Sequence, residues 1–343
     1  AGKAIDPTVS YARILTIALL FMFVLHGVDA TFRSEGNAKR AMSVFLIGLI
    51  LNMILDPVFI YPLGLGVAGA AWASLVSVAI VTLVGYYWIF VKKIPYVAIR
   101  IRGFKPDKKS MKQILGLGIP VSLSQVFMAV MFFINTMIAA YVGKTDGVAV
   151  YNSGLRFTNL TILPIVGITS SFITVVGAAF GAKNKDKMQA AFTYTLKLSI
   201  GVASVLMVLT ILTAPLITKM FTWSEETRVL TADFITFFSV FVLLLPALAV
   251  TLTVTSLFMG MGRGGKSLML IICRTVIFTI PCTLTLGVVF KFGLVGIWWG
   301  IVIGNWLTAC LAFLWAGKFL ADQGVIAFKE WKFPYAPNLF KKE

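Results

Sequence analysis

Long apolar stretches alternate with short polar turns along this chain. Nine apolar stretches, near 11–31, 42–60, 68–91, 113–141, 149–179, 190–217, 232–258, 267–289 and 294–318, each hold about 20 or more residues with few charges. That is the length an α-helix needs to cross the hydrocarbon core of a bilayer. Only helices and closed barrels satisfy their backbone polar groups there, so the pattern predicts an all-α polytopic membrane protein of about nine transmembrane helices. The longest polar interruption, Pro95 to Met111 (P-Y-V-A-I-R-I-R-G-F-K-P-D-K-K-S-M), divides the chain into 1–104 with three helices, 105–320 with six, and a tail at 321–343. Its mixed basic and apolar character suits a segment lying on the membrane surface.

Composition agrees with a membrane class. The chain of 343 residues is 59% hydrophobic, with a mean hydropathy of +0.94, more than a soluble core absorbs. The net charge of +17 would suggest nucleic acid in a soluble protein. Here Lys and Arg sit in the loops, where they set topology, so no nucleic-acid partner is expected. The loops alternate in charge. Arg33, Lys39 and Arg40, then Lys92 to Lys112, Lys183 to Lys187, Arg263 with Lys266, and the tail form the basic set. These are expected on the cytoplasmic side of the plasma membrane. Cys273, Cys282 and Cys310 fall in apolar stretches without metal-ligand spacing, and buried free thiols are expected.

Two stretches match at a shift of about 226 residues. F-R-S-E-G-N-A-K-R from Phe32 lies over F-M-G-M-G-R-G-G-K from Phe258, and G-V-A-G-A-A-W-A from Gly66 lies over G-L-V-G-I-W-W-G from Gly293. Six helices separate the two basic turns, an even number, so the copies are parallel. Their pseudo-two-fold axis runs along the membrane normal, as in some secondary transporters. The second copy has three helices that the first lacks. A twelve-helix protein missing three N-terminal helices, very roughly 100 residues by bilayer-crossing length, is the resulting expectation.

The chemistry concentrates in N-M-I-L-D-P, Asn52 to Pro57. Asn52 and Asp56 are one helical turn apart and share a face. A carboxylate carried in hydrocarbon is a functional-site candidate by default. Pro57 donates no backbone N–H, which frees a carbonyl one turn earlier as a ligand or a hinge. The next helix returns Ser74 and Ser77 to the same depth. Oxygen donors of this kind suit a hard cation such as Na+. Desolvation favours the neutral form of a carboxyl, so H+ is an equal candidate. His26 and Asp29, also one turn apart, form either a proton relay or an interfacial pair beside Arg33. In the second part Asp56 falls on Cys282, beside Pro281. Gln125, Asn135 and Asn159 either line a cavity or bond helix to helix. Arg156, Lys197 and Arg274 are expected near span ends, where they snorkel. No nucleophile–base pair, metal-ligand cluster or phosphate loop points to an enzyme, and no cofactor beyond Na+ or H+ is expected.

Taken in order, R-S-E-G-N-A-K-R-A-M, L-N-M-I-L-D-P-V-F-I and L-G-L-G-V-A-G-A-A-W-A-S closely resemble the multidrug and toxic compound extrusion (MATE) family. G-I-P-V-S-L-S-Q at Gly118–Gln125 and F-G-A-K-N-K-D-K at Phe180–Lys187 are similar to the start of its second lobe and to a cytoplasmic turn there. The resemblance covers the chain as the family's fourth to twelfth helices. It implies a two-lobe helical bundle around a central cavity, acting as a monomer in the lipid bilayer. It also implies antiport, in which entry of Na+ or H+ drives export of amphipathic, often cationic organic compounds. The family's Asn and Asp map onto Asn52 and Asp56, and its sixth-helix hydroxyl, usually Thr, onto Ser74. A family Asp on the first helix has no counterpart here, and the branch with acidic residues in the second lobe fits poorly. Two alternatives stand beside this one: a lipid-linked oligosaccharide flippase of the same superfamily, which needs a cationic cavity, and a non-transporting fragment.

Overall fold

The computed structural model describes residues 5–92, 94–95, 107–223 and 225–325. Most of the linker between the predicted halves, and the tail with Lys329, Lys332, Lys341 and Lys342, lie outside the described residues. The chain divides into two compact units, Ala1–Pro106 and Asp107–Glu343.

The first unit holds α1 (Ile5–Ser34), α2 (Ala38–Ile60) and α3 (Gly66–Val91). α1 and α2 both pack on α3. Gly85 of α3 lets Val28 of α1 approach, since a Cβ there would lie 2.7 Å from the Val28 Cγ1. Outward faces are apolar: Leu20 is 71% and Phe23 83% exposed. A soluble protein would hide such a band, whereas lipid covers it.

The second unit begins with a helical stretch of 74 residues, Lys108–Gly181. Straight, it would be about 110 Å long, more than three hydrocarbon cores. Lys144 breaks it with φ 49° and ψ −138°. A Cβ on Gly147 would lie 2.5 Å from the carbonyl oxygen of Ala139, and the rings of Phe132 and Tyr151 stack at 6.0 Å. The chain therefore doubles back, and the stretch is two antiparallel helices, α4 (108–143) and α5 (145–181). α6 (Lys185–Phe221), α7 (Thr231–Gly260), α8 (Gly264–Val289) and α9 (Gly293–Asp322) follow. The described residues thus hold nine crossings, as the apolar pattern predicts.

α7 and α9 are the most enclosed helices. Phe237 of α7 meets Trp298 of α9 edge to face at 4.9 Å, and Tyr151 of α5 stacks on Trp298 at 5.6 Å. α9 turns a glycine stripe toward α8, the small-residue spacing that brings membrane helices close. A Cβ on Gly300 would lie 2.6 Å from the Thr283 Cα, and one on Gly304 2.6 Å from the Thr279 Cα.

The repeat is present bond by bond. At the basic turns, Gly36 N–H donates to the Arg33 carbonyl and Gly262 N–H to the Met259 carbonyl, both at 3.0 Å. Both glycines have positive φ, 75° and 70°. At the glycine turns one helix further on, Leu65 N–H donates to the Phe59 carbonyl at 3.3 Å and Phe292 N–H to the Leu286 carbonyl at 3.2 Å. The basic turns are 226 residues apart (262 − 36) and the glycine turns 227 (292 − 65). α8 therefore carries one residue more than α2. It absorbs that residue in π-turns, at Cys273–Thr279 and Thr285–Val289, where the hydrogen bonds step by five instead of four. α4 locates the extra residue in the first of these turns. Leu117 lies against Gly264 and Asn135 against Thr283, which spans 18 residues on α4 (135 − 117) and 19 on α8 (283 − 264). Beyond that turn the shift is 227, so Asp56 falls on Thr283, not on Cys282, and Asn52 falls on Thr279.

Asp107 caps α4, accepting from the Lys109 and Ser110 N–H groups and from the Ser110 hydroxyl. These bonds favour the carboxylate and hold its pKa below the ordinary 3.8. A lowered pKa contributes stability that is present above the unfolded value and lost as pH falls through the folded one. The protection of the Lys109 and Ser110 amides, measured against their intrinsic exchange rates, is therefore expected to fall below about pH 4. In Asp107→Asn, which still caps, that pH dependence disappears. Gly304→Ala or Gly300→Ala is expected to lower thermal stability by about 1–3 kcal/mol through overpacking against backbone. Gly201→Ala, whose Cβ meets nothing within 4 Å, is expected to raise it by roughly 0.5 kcal/mol. Thermal unfolding in detergent checks both.

Candidate functional site

Asn52 and Asp56 lie on the same face of α2, and Ser74 lies on the facing stretch of α3. The Asn52 side-chain N–H2 group donates to the Asp56 Oδ1 at 3.4 Å and to the Ser74 Oγ at 3.4 Å. All three residues are half-buried. Both bonds are long for their type, so the amide is held weakly. With both N–H groups used, the Asn52 carbonyl oxygen, the second Asp56 oxygen and the Ser74 lone pairs remain as acceptors. Acceptor oxygens with one negative charge are a donor set for a hard monovalent cation or a proton. Pro57 follows Asp56 inside α2. Its missing N–H leaves the carbonyl of Met53, four residues earlier, without its helical partner. Ser77 does not join the group, because its hydroxyl donates to the Ala73 carbonyl of its own helix.

The other candidates separate. The His26 Nδ1 lies 2.7 Å from the Met22 carbonyl one turn back, and Arg33 Nε donates to both Asp29 oxygens at 2.8 Å. His26 and Asp29 thus have separate partners, the arrangement of an interfacial ion pair. Asn135 is fully enclosed beside Tyr151 and Thr283, while Gln125 and Asn159 are exposed. Cys273 is buried, Cys282 half-buried and Cys310 exposed, so the expectation of buried thiols fails for Cys310. All three are free.

Arg274 corrects the snorkelling assignment. Arg156 and Lys197 are exposed on helices long enough to extend well past the hydrocarbon. Arg274 is 4% exposed, ten residues inside the 26 of α8, or about 15 Å along the axis. It lies between the two levels at which α4 holds α8. Counting from the end of the apolar run placed it too near the surface, because α8 starts at Gly264, before the run becomes uniformly apolar. Of the second unit's polar residues, Thr279 and Thr283 were missed. Their i, i+4 spacing repeats that of Asn52 and Asp56, but the inserted residue hides it.

Nine membrane-crossing helices, an internal repeat and an intramembrane carboxylate with polar partners define a polytopic membrane transporter. The MatE family model matches residues 120–285. The Multidrug export protein MepA of Staphylococcus haemolyticus is 28% identical over 315 residues, which cover 91% of this chain and 67% of that protein. The chain thus spans about two thirds of the length of such relatives. Among solved structures, MATE in complex with MaL6 is 36% identical with a TM-score of 0.89, over 92% of this chain and 70% of that one. An outward-facing multidrug resistance MATE family transporter of the MOP superfamily is 35% identical with a TM-score of 0.91, over 94% and 72%. The chain belongs to the MATE family.

With Arg33 half exposed and the pair one helical turn apart, Asp29→Asn is expected to cost about 0.5 kcal/mol or less. It is also expected to leave the pH profile of transport unchanged. A displaced pH profile would return Asp29 to the chemistry.

Proposed function

We propose that this protein works as a secondary antiporter that exports amphipathic or cationic organic compounds in exchange for Na+ or H+. Asp56 is the coupling carboxylate, and Asn52 and Ser74 are its partners. One observation carries this assignment: Asn52 bonds Asp56 and Ser74 at once, joining a charge on α2 to a hydroxyl on α3 at membrane depth. A cation binding there replaces the long Asn52 bonds with oxygen coordination and draws α2 and α3 together. A ligand shifts a two-state transporter only by its difference in affinity for the two states. The carboxylate supplies such a difference if the ion is held more tightly with the helices closed. The unbonded turn at Pro57 is the point where α2 can bend. The export of drugs by the MepA proteins supports the substrate class, and the basic turns at Arg33–Arg40 and Arg263–Lys266 support a cytoplasmic placement of those loops.

Membrane vesicles from cells producing the protein test the assignment through efflux of a cationic dye under an imposed Na+ or H+ gradient. Asp56→Asn is expected to reduce gradient-driven efflux by about tenfold or more, in line with typical coupling energies, without changing the amount of folded, inserted protein. Full efflux in that variant would overturn it.

A further inference from the structure

The Asp56 site has a counterpart in the second unit with the opposite chemistry. Thr279 and Thr283 occupy the positions of Asn52 and Asp56. Thr283 Oγ1 donates to the Thr279 carbonyl at 2.7 Å and reaches the Asn135 Oδ1 of α4 at 3.4 Å. Three buried polar atoms of α8 have no hydrogen-bond partner among the described residues: Arg274 Nε, Thr275 Oγ1 and Thr279 Oγ1. Arg274 Nε–H only donates, and the threonine hydroxyls can donate. Arg274 and Thr279 both lie in the π-turn Cys273–Thr279, five residues and little more than one turn apart. Single π-turns inside helices are common at functional sites. Every Asp and Glu of the second unit falls in a loop, in the tail or at a helix end, at Asp107, Asp146, Asp186 and Asp233 for example. None is placed in mid-helix to neutralise Arg274.

An enclosed guanidinium at mid-membrane without an anion is costly. Donors without acceptors call for a ligand that only accepts. We propose that Arg274, with Thr279 of the same π-turn, forms an oxyanion-binding site in the second unit, taking the carboxylate or phosphate of an amphipathic molecule. Arg274 is the residue best suited to such groups, because its planar fork of donors matches theirs. The inserted residue explains how one scaffold yields both polarities. Counted from the basic turn, Arg274 stands at the position of Gly48. The π-turn then rotates everything after it, which brings two threonines, not Cys282, to face α9. The inference depends on neither the direction nor the coupling of transport.

Binding in nanodiscs of phosphatidylcholine tests it, with two fluorescent probes that share an apolar body, pyrenebutyrate and a pyrenebutyl trimethylammonium salt. Arg274→Gln is expected to weaken pyrenebutyrate binding about tenfold or more and to leave the cationic probe unchanged. Arg274→Lys is expected to retain part of the binding and Thr279→Val to lose part. Without probe, the melting temperature of Arg274→Gln is expected to hold or rise, because an unpaired buried charge has been removed. Native mass spectrometry separates the sources of the oxyanion. If pyrenebutyrate binding is unchanged but the variant no longer retains one phosphatidylglycerol, the site holds a lipid headgroup. Equal weakening of both probes with a lowered melting temperature would reduce Arg274 to a packing role. No change in either probe or in retained lipid would also overturn the site.

Discussion

A polar group inside a bilayer has no water to turn to, and this structure is arranged around that constraint. Backbone groups satisfy one another along each helix. Most intramembrane hydroxyls return to a carbonyl one turn earlier, as Thr82, Thr158, Ser199 and Thr308 do. What remains after this local accounting includes Asn52 with Asp56 and Ser74 in the first unit, and Arg274 with Thr275 and Thr279 in the second. In the repeat Thr279 stands at the place of Asn52, and Arg274 at the place of Gly48.

Close packing makes these places precise. The stripe of Gly296, Gly300 and Gly304 on α9 brings α8 within backbone contact, and Gly69 plays the same part for α2 against α3. With backbones that close, a single added residue cannot be lost in a loop. It must be taken up within the helix, and the π-turn at Cys273–Thr279 does so. The same scaffold therefore presents a carboxylate on one copy and a wall of donors on the other.

Much of this was legible in the sequence. Nine apolar runs gave nine crossings because hydrocarbon thickness is a strict ruler. Asn52 and Asp56 were legible because one helix carries both at a spacing that fixes their face, and the matching turns exposed the repeat. The second unit was harder to read. Asn135 and Thr283 are 148 residues apart, so no local spacing links them. Arg274 was misplaced because an apolar run marks where hydrophobicity is uniform, not where a helix begins. Cys282 took the place of Thr283 because an insertion inside a helix leaves the apolar pattern intact while shifting every later position by one. Cys310 turned outward because lipid, like a protein core, accepts a thiol.

Linkage offers the most direct check on coupling through Asp56. In any antiporter the exchange runs both ways, since each ligand changes the binding of the other by the same factor. Vesicles with a gradient of a cationic dye and no ion gradient would be monitored for ion movement. The proposed exchange requires Na+ or H+ to move against the flow of dye until the dye gradient is spent. Dye that crosses through the protein while both ions stay still would contradict it.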